Sequence, residues 1–179
     1  AFAWNAERLK YDIESRALYG SVSPDVALLS EVDIGMARSG NRHTVRDLAE
    51  PFDAGYVYAV EFAELGLGDD REIRWHEGES NRIGYHGNAI VSRFPLQDPF
   101  AVRLDDGGHW FVGLESNDQR RIGFRNALAA RIGDKENGIW VIVAHFENRT
   151  SPDGRAEQAK RLITALNHQC HERPIVIGG

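Results

Sequence analysis

Four polar residues stand beside short apolar runs of the chain, at positions where a buried strand would end. They are Asn5, Glu31, Asn88 and His145. Glu31 is the most telling of them, because a carboxylate at the tip of a buried strand is costly to desolvate unless a partner neutralises it. Strand ends that face one edge of a sandwich can converge on a single cleft, so we expect these four side chains to lie close together.

The chemistry that these residue types could perform together is phosphate chemistry. Carboxylate and amide oxygens are the ligands that a hard divalent cation prefers, and phosphate oxygens can complete its coordination shell. A histidine close by can hydrogen-bond the phosphate or carry a proton. The set therefore predicts a metal-assisted phosphate site.

Each of the four residues also has a simpler interpretation. Glu31 could form an ion pair with an arginine close in sequence, and Asn5 could be only the N-cap of a following helix. Asn88 could be a turn residue, and His145 could be a core histidine whose hydrogen bonds are satisfied. The arginines near Glu31 are Arg38, Arg42 and Arg46.

Hydrophobic periodicity and turn residues predict the elements that position these side chains. Strands are predicted over 24–33, 56–62, 87–92, 100–104, 121–132, 139–146 and 174–179. Helices are predicted over 6–19, 44–50 and 155–170, and a long polar loop over 66–85. A hairpin between two of the strands argues against a fully parallel sheet. Two mixed sheets packed face to face, with helices outside, fit this pattern.

Composition sets limits on the function. A chain of 179 residues is one domain or most of one. The net charge of −6 argues against tight, non-specific binding of nucleic acid, although it leaves room for a local basic patch. Cys170 is the only cysteine, so the sequence has neither an internal disulfide nor a thiolate-rich metal site. No apolar run is long enough to span a membrane.

Several motifs, in order along the chain, resemble those of the endonuclease/exonuclease/phosphatase family of metal-dependent phosphoesterases, to which deoxyribonuclease I belongs. The most specific match is residues 86–96, His-Gly-Asn-Ala-Ile-Val-Ser-Arg-Phe-Pro-Leu. The other matches are Trp4-Asn5 with the first-strand Asn, 29–32 with Leu-Gln-Glu, 143–147 with Thr-His-Leu, Arg155 and Gln158 in the helix that follows, and 175–179 with the strand that runs into Gly-Asp-x-Asn.

The resemblance implies a deoxyribonuclease I-like fold, a four-layer α/β sandwich. It implies that Glu31, with Asn5 nearby, binds Mg²⁺ or Mn²⁺, which polarises the scissile phosphate for in-line attack by water. It also implies that His145 hydrogen-bonds a phosphate oxygen or assists the leaving group, and that Asn88 orients groups of the site. Asn5, Asn88 and Arg82 are the candidates for substrate contact, although a solvated surface role is the simpler interpretation of Arg82.

The sequence departs from the family pattern in three places. Ser30 replaces the usual Gln, and Phe146-Glu147-Asn148 is an unusual continuation after the histidine. The sequence stops at Gly179, before the expected Asp and Asn and before a C-terminal Ser-Asp-His. We therefore expect residues 1–179 to be a single domain that lacks its C-terminal part and a few N-terminal residues, and to be nearly inactive alone.

The function that the resemblance implies is hydrolysis of phosphate esters, and a phosphodiesterase or nuclease is favoured. A phosphatase of the same fold that acts on inositol, lipid or other small phosphoesters is the alternative. A non-catalytic binding module is a third possibility, which the presence of Asn5, Glu31 and His145 argues against. The partner is a phosphoester substrate, nucleic acid among the candidates. Substrate, oligomeric state and localisation stay open.

Overall fold

The computed structural model describes residues 24–106, 119–170 and 173–179, together with the backbone of residues 2–5. The predicted helix 6–19 lies outside the described residues. The strands are β1 Phe2–Asn5, β2 Val26–Ile34, β3 Gly55–Glu64, β4 Tyr85–Ser92, β5 Leu96–Arg103, β6 Arg121–Gly123, β7 Asn126–Ile132, β8 Ile139–Ala144 and β9 Ile175–Gly178. The α-helices are α1 Thr44–Ala49, α2 Asp70–Trp75 and α3 Pro152–Gln169.

The strands form two sheets. Sheet A has five strands in the order β1-β2-β4-β3-β6, and sheet B has four in the order β5-β7-β8-β9. In each sheet one outer pair is parallel, β1 with β2 and β8 with β9, and the other pairs are antiparallel. The predicted hairpin is confirmed as the antiparallel pair β7–β8.

Three apolar layers hold the sheets and helices together. Side chains from both sheets meet face to face, and Leu28, Ile90 and Val143 are among them. The outer face of sheet A packs under α1, and the outer face of sheet B packs under α3. The arrangement is helix, sheet, sheet, helix, so the predicted four-layer α/β sandwich is confirmed. Among the described residues, no helix combines the length and apolar composition needed to cross a bilayer.

Two of the predicted elements were wrong in a way that matters for function. The single strand predicted over 121–132 is two strands, because the chain leaves sheet A after β6 and enters sheet B as β7. Gly123, at φ 150°, provides the backbone geometry for this crossing. The loop predicted over 66–85 contains α2, which a capping box of Asp69 and Glu72 begins. That signal was present in the sequence but was hidden by the polar composition of the segment.

Candidate functional site

Glu31 lies in a β-bulge of β2. The register with β4 shifts between Leu29 and Val32, and both of these residues pack in the core under α1 although they are three positions apart. Glu31 itself adopts φ 58°, a left-handed conformation that costs a non-glycine residue about 1–2 kcal/mol. The bulge therefore removes Glu31 from the strand's alternation and turns a charged side chain out of the core, at the expense of backbone strain.

Glu61 occupies a second bulge, in β3. The register with β4 shifts between Val60 and Phe62, so Glu61 is the extra residue. Glycines flank its peptide on both neighbouring strands. A Cβ atom on Gly87 would lie 2.1 Å from the Ala59 carbonyl oxygen, and one on Gly123 would lie 1.8 Å from the Glu61 carbonyl oxygen. These two close approaches leave no room for a side chain at either position.

Asn88 lies on β4, between the two bulged strands, and links the sheets. Its Nδ2 group donates to Glu61 Oε1 at 3.1 Å and to Asn126 Oδ1 at 3.0 Å, and Asn126 belongs to sheet B. Asn88 is fully buried. Its Oδ1 atom has no hydrogen-bond donor within the described part of the chain. Asn88 is thus a structural link beside Glu61 rather than an ordinary turn residue.

His145, which follows β8, lies between two carboxylates. Its Nε2 atom is 3.4 Å from Glu31 Oε1, and its Nδ1 atom is 2.9 Å from Glu61 Oε2. His145 and Glu31 are in contact, as expected of side chains that face one cleft. The hydrogen-bonding nitrogens of His145 meet carboxylates, so its catalytic role stays a prediction. The side chains of His145 and Glu31 are 18% and 19% exposed, whereas that of Glu61 is fully buried. Glu31 and His145 therefore form the solvent-facing part of the cluster.

Arg125, in the crossing between β6 and β7, is a buried cation behind this pair. Its Nη1 atom lies 3.2 Å from Glu61 Oε2 and 2.9 Å from His145 Nδ1, and its Nε atom donates to Glu147 Oε2 at 3.1 Å. With the His145 proton on Nδ1, both the histidine and the arginine donate to Glu61, and Nε2 is left facing Glu31. Neither Arg125 nor Glu147 is more than 5% exposed.

The electrostatics of the cluster favour a cation. Burial by itself raises the pKa of Glu61, but the hydrogen bond from His145 and the charges of His145 and Arg125 outweigh it and hold that pKa below its usual value. Glu61 is therefore ionised at neutral pH. Glu61 and Glu147, both buried, share the guanidinium of Arg125, and these three groups together carry a net negative charge.

A second buried network continues along the same two strands. Arg38 donates to Asp33 at 2.9 and 2.8 Å and to Glu72 of α2 at 3.0 Å, and His86 Nδ1 lies 2.9 Å from Asp33 Oδ1. Burial raises the pKa of Asp33, but Arg38 and His86 outweigh it and hold that pKa well below its usual range. This network fixes α2, and with it the 66–85 segment, against β2 and β4.

The remaining predicted residues are placed as follows. The backbone of Asn5 pairs with that of Ser30, immediately before Glu31, so β1 brings Asn5 to the same edge of the sheet. Arg82 is exposed, and its backbone N–H donates to Asn41 Oδ1 in a contact between two loops that involves no member of the cluster. Their proposed substrate and metal contacts stay predictions. Two of the nearby arginines, Arg42 and Arg46, pair with Asp47.

Sequence reasoning missed three members of the cluster: Glu61, Arg125 and Glu147. Glu61 sits in an alternating strand pattern, where it passes for a solvent-facing residue. Arg125 was assigned to the middle of a continuous strand. Glu147 carried a usable signal, because its spacing of two from His145 places both side chains on one face of an extended chain.

The donor set suits a hard divalent cation. Glu31 offers a partly exposed carboxylate in contact with His145. Within the described residues no three His, Cys, Asp or Glu side chains converge as metal ligands. Mg²⁺ does not require such a cage, since it is commonly held by one or two carboxylates while water and substrate phosphates complete its shell. Glu31 and oxygens from its neighbourhood therefore fit this ion.

Comparison with known proteins places the fold. No protein-family model matches the sequence, and no curated protein matches it either. One similar solved structure is an endonuclease/exonuclease/phosphatase family protein from Leptotrichia buccalis, with 14% sequence identity and a TM-score of 0.57, matched over 99% of this chain and 66% of that one. The catalytic domain of human Nocturnin with bound sulfate has 19% identity and a TM-score of 0.54, over 86% of this chain and 49% of that one. The Neisseria 3′ phosphatase NExo bound to a product DNA hairpin has 17% identity and a TM-score of 0.54, over 98% of this chain and 54% of that one.

These neighbours share the endonuclease/exonuclease/phosphatase fold, and the fold that the sequence motifs implied is confirmed. At identities of 14% to 19%, the likeness concerns the fold. This chain spans between 49% and 66% of the length of these neighbours.

Proposed function

We propose that this chain is a divalent-metal-dependent phosphoesterase that hydrolyses phosphodiester bonds in nucleic acid. The observation that carries the proposal is the line of contacts from Glu31 through His145 to the buried Glu61. It combines a partly exposed carboxylate, a histidine held by a second carboxylate, and a bulge that strains the backbone to present the first of them. Perturbed or strained polar groups of this kind cluster at functional sites.

The roles of the residues follow from which of them are exposed. Glu31 and His145 can reach a bound phosphate, and Glu61 cannot, because it is fully buried. Glu61 accepts a hydrogen bond from Nδ1 of His145 and so orients the ring, with Nε2 towards the cleft. From there a ring protonated on both nitrogens can donate a hydrogen bond from Nε2 to a phosphate oxygen or pass that proton to the leaving oxygen.

Glu31, with Asn5 at the adjacent position of β1, would hold the divalent ion. Bound there, Mg²⁺ or Mn²⁺ supplies positive charge to the phosphate oxygens and makes phosphorus more open to attack by water. Asn88 keeps Glu61 in place through its donated hydrogen bond.

Nucleic acid is favoured as the substrate for two reasons. One neighbour of the same fold, NExo, is a 3′ phosphatase seen with a product DNA hairpin. In this chain, Arg149 and Arg155 are exposed in the segment that follows His145 and begins α3. Arginines close to the site can bind backbone phosphates locally, although the chain as a whole is acidic.

The proposal is tested with the full-length protein on a panel of substrates: single-stranded and duplex DNA, RNA, a DNA end bearing a 3′-phosphate, inositol phosphates and a lipid phosphodiester. Each is assayed with Mg²⁺, with Mn²⁺ and with EDTA. Glu31→Gln and His145→Ala should each lower kcat/KM by about 100-fold or more. The matched control is Glu50→Gln, which makes the same chemical change at an exposed residue and should retain activity.

Hydrolysis that is insensitive to EDTA, or that survives Glu31→Gln, would contradict the metal-dependent mechanism. Turnover confined to inositol or lipid phosphoesters would overturn the choice of nucleic acid. Removal of the 3′-phosphate without cleavage of internal bonds would identify a phosphomonoesterase of DNA ends, as NExo is described. Absence of hydrolysis with tight, metal-dependent binding of DNA would favour a binding module.

A further inference from the structure

We infer that Glu147 is a positioning residue that acts through Arg125 on Glu61 and His145. The inference rests on the proposed function and deepens it, because it explains the unusual His-Phe-Glu sequence after β8. Glu147 is a carboxylate that is only 3% exposed, in a segment without regular secondary structure. A buried carboxylate in such a segment is retained only where its surroundings neutralise it.

Glu147 is held at three points. Its Oε2 atom accepts from Arg125 Nε at 3.1 Å, and its Oε1 atom accepts from the backbone N–H of Arg149 at 2.8 Å. Its own backbone N–H donates to Oε1 of Gln158 at 2.9 Å, and Gln158 is a buried residue of α3. These contacts fix the carboxylate relative to both the backbone and α3.

The planar geometry of the Arg125 guanidinium links the position of Glu147 to that of His145. A guanidinium is planar, and its N–H directions are fixed relative to one another. Once Nε of Arg125 is bound to Glu147, the position of Nη1 is determined, and Nη1 lies 3.2 Å from Glu61 Oε2 and 2.9 Å from His145 Nδ1. Glu147 therefore determines the orientation of a cation that touches both members of the pair.

Charge balance gives the second reason. Arg125 lies between two buried carboxylates, Glu61 and Glu147, and is shared by them. Without the charge of Glu147, Glu61 becomes the remaining anion in contact with Arg125, and the guanidinium is drawn towards it. In the wild-type structure both Arg125 Nη1 and His145 Nδ1 contact Glu61 Oε2. In the variant, Arg125 would compete with His145 for this oxygen. The histidine would lose its fixed orientation.

The first test is Glu147→Gln, which keeps the size of the side chain and removes its charge. We expect kcat to fall by about 10- to 100-fold, the range typical when a group that orients a site residue is removed, with KM changed less than about twofold. The matched control is Glu157→Gln, the same change on the exposed surface of α3, which should leave kcat unchanged. If Glu147→Gln proves too unstable, Glu147→Asp keeps the charge but withdraws the carboxylate from Arg125 Nε, and the same readouts apply.

A double-mutant cycle separates positioning from a general structural role. In a His145→Ala background, Glu147→Gln should lower the residual activity less than about twofold, because the residue through which it acts is gone. An equal loss in both backgrounds would overturn the inference. So would a fall in Tm with kcat per folded molecule unchanged, which would make Glu147 purely structural.

The third readout does not depend on activity. The ¹⁵N resonances of the His145 ring, assigned by their absence in His145→Ala, should shift in Glu147→Gln and stay unchanged in Glu157→Gln. If wild-type protein hydrolyses no phosphoester but the ring resonances shift as expected, the proposed function fails and the positioning link stands. If the enzyme is active and the ring resonances are unchanged in Glu147→Gln, the positioning link fails and the proposed function stands.

Discussion

Gly87→Ala should lower activity by disturbing Glu61, although Gly87 itself carries no chemistry. An added Cβ would lie 2.1 Å from the Ala59 carbonyl oxygen and 3.0 Å from the Glu61 backbone nitrogen. Real Cβ contacts under 3.0 Å are essentially never observed, so β3 must move away from β4 by about 0.9 Å at this point. The displaced segment is the bulge that carries Glu61.

Both magnitudes follow from this displacement. Overpacking of a tight site costs about 1–3 kcal/mol of stability. A misplacement of about 1 Å in a catalytic arrangement can cost about 100-fold in rate. We therefore expect kcat/KM of Gly87→Ala to fall by about 100-fold while a folded, cooperatively melting protein remains.

The assay is metal-dependent hydrolysis of the best substrate of the panel, with Tm measured for the same samples. The matched control is Gly55→Ala at the other end of β3, where an added Cβ would come no closer than 4.0 Å to Ser92 O. Gly55→Ala should retain activity. A Gly87→Ala enzyme with wild-type kcat/KM would refute the reasoning, because β3 could then yield without moving Glu61.

Three further outcomes are expected. Both Glu31→Gly and Glu31→Ala lose the carboxylate, but the φ of 58° is strained for alanine and not for glycine. Glu31→Gly should therefore be about 1 kcal/mol more stable than Glu31→Ala in denaturant unfolding. Equal stabilities would mean that the bulge relaxes. Arg38→Met should destabilise at pH 7 by about 3–5 kcal/mol. The folded-state pKa of Asp33 is lowered, so the stability that ionised Asp33 contributes to the fold is present above its unfolded-state pKa of about 3.9 and is lost as pH falls below it. The difference in Tm between Arg38→Met and wild type should therefore narrow towards pH 3. A difference that stays constant with pH would contradict this. Asn88→Asp should lower Tm more than Asn88→Ala, because it places a carboxylate against Glu61 Oε1; the reverse order would mean that this contact is not made in solution.

The residues that the sequence identified are those next to interruptions of an apolar run. Glu31 and His145 both follow such runs. Because successive side chains of a strand point to opposite faces, the end of an apolar run marks the position where the strand stops being buried. Their proximity of 3.4 Å was predictable, because β2 and β8 lie in sheets that pack face to face. The fold was predictable for the same reason, with the ordered motifs as additional support.

The bulges could not be predicted from the same rules. A bulge breaks the alternation on which strand prediction relies, so Glu61 passes for an exposed residue when in fact it is buried. The glycine at position 87 marks the close approach of β3, but a glycine in a strand does not reveal which neighbouring residue it accommodates. The crossing at 124–125 is hidden too, because no proline or turn cluster separates β6 from β7, and residues 121–132 are therefore predicted as one strand.

A divalent cation would explain how one site can combine acidic groups with an anionic substrate. A phosphate approaching Glu31 meets a carboxylate, and two like charges 4 Å apart near a protein surface repel by about 4 kcal/mol. The buried pairs do not relieve this, because Arg125 is already shared by Glu61 and Glu147. A divalent cation at Glu31 would reverse the sign of the interaction. Substrate binding, and not only turnover, should on this argument depend on the metal, and equal affinity for DNA with Mg²⁺ and with EDTA would show it to be wrong.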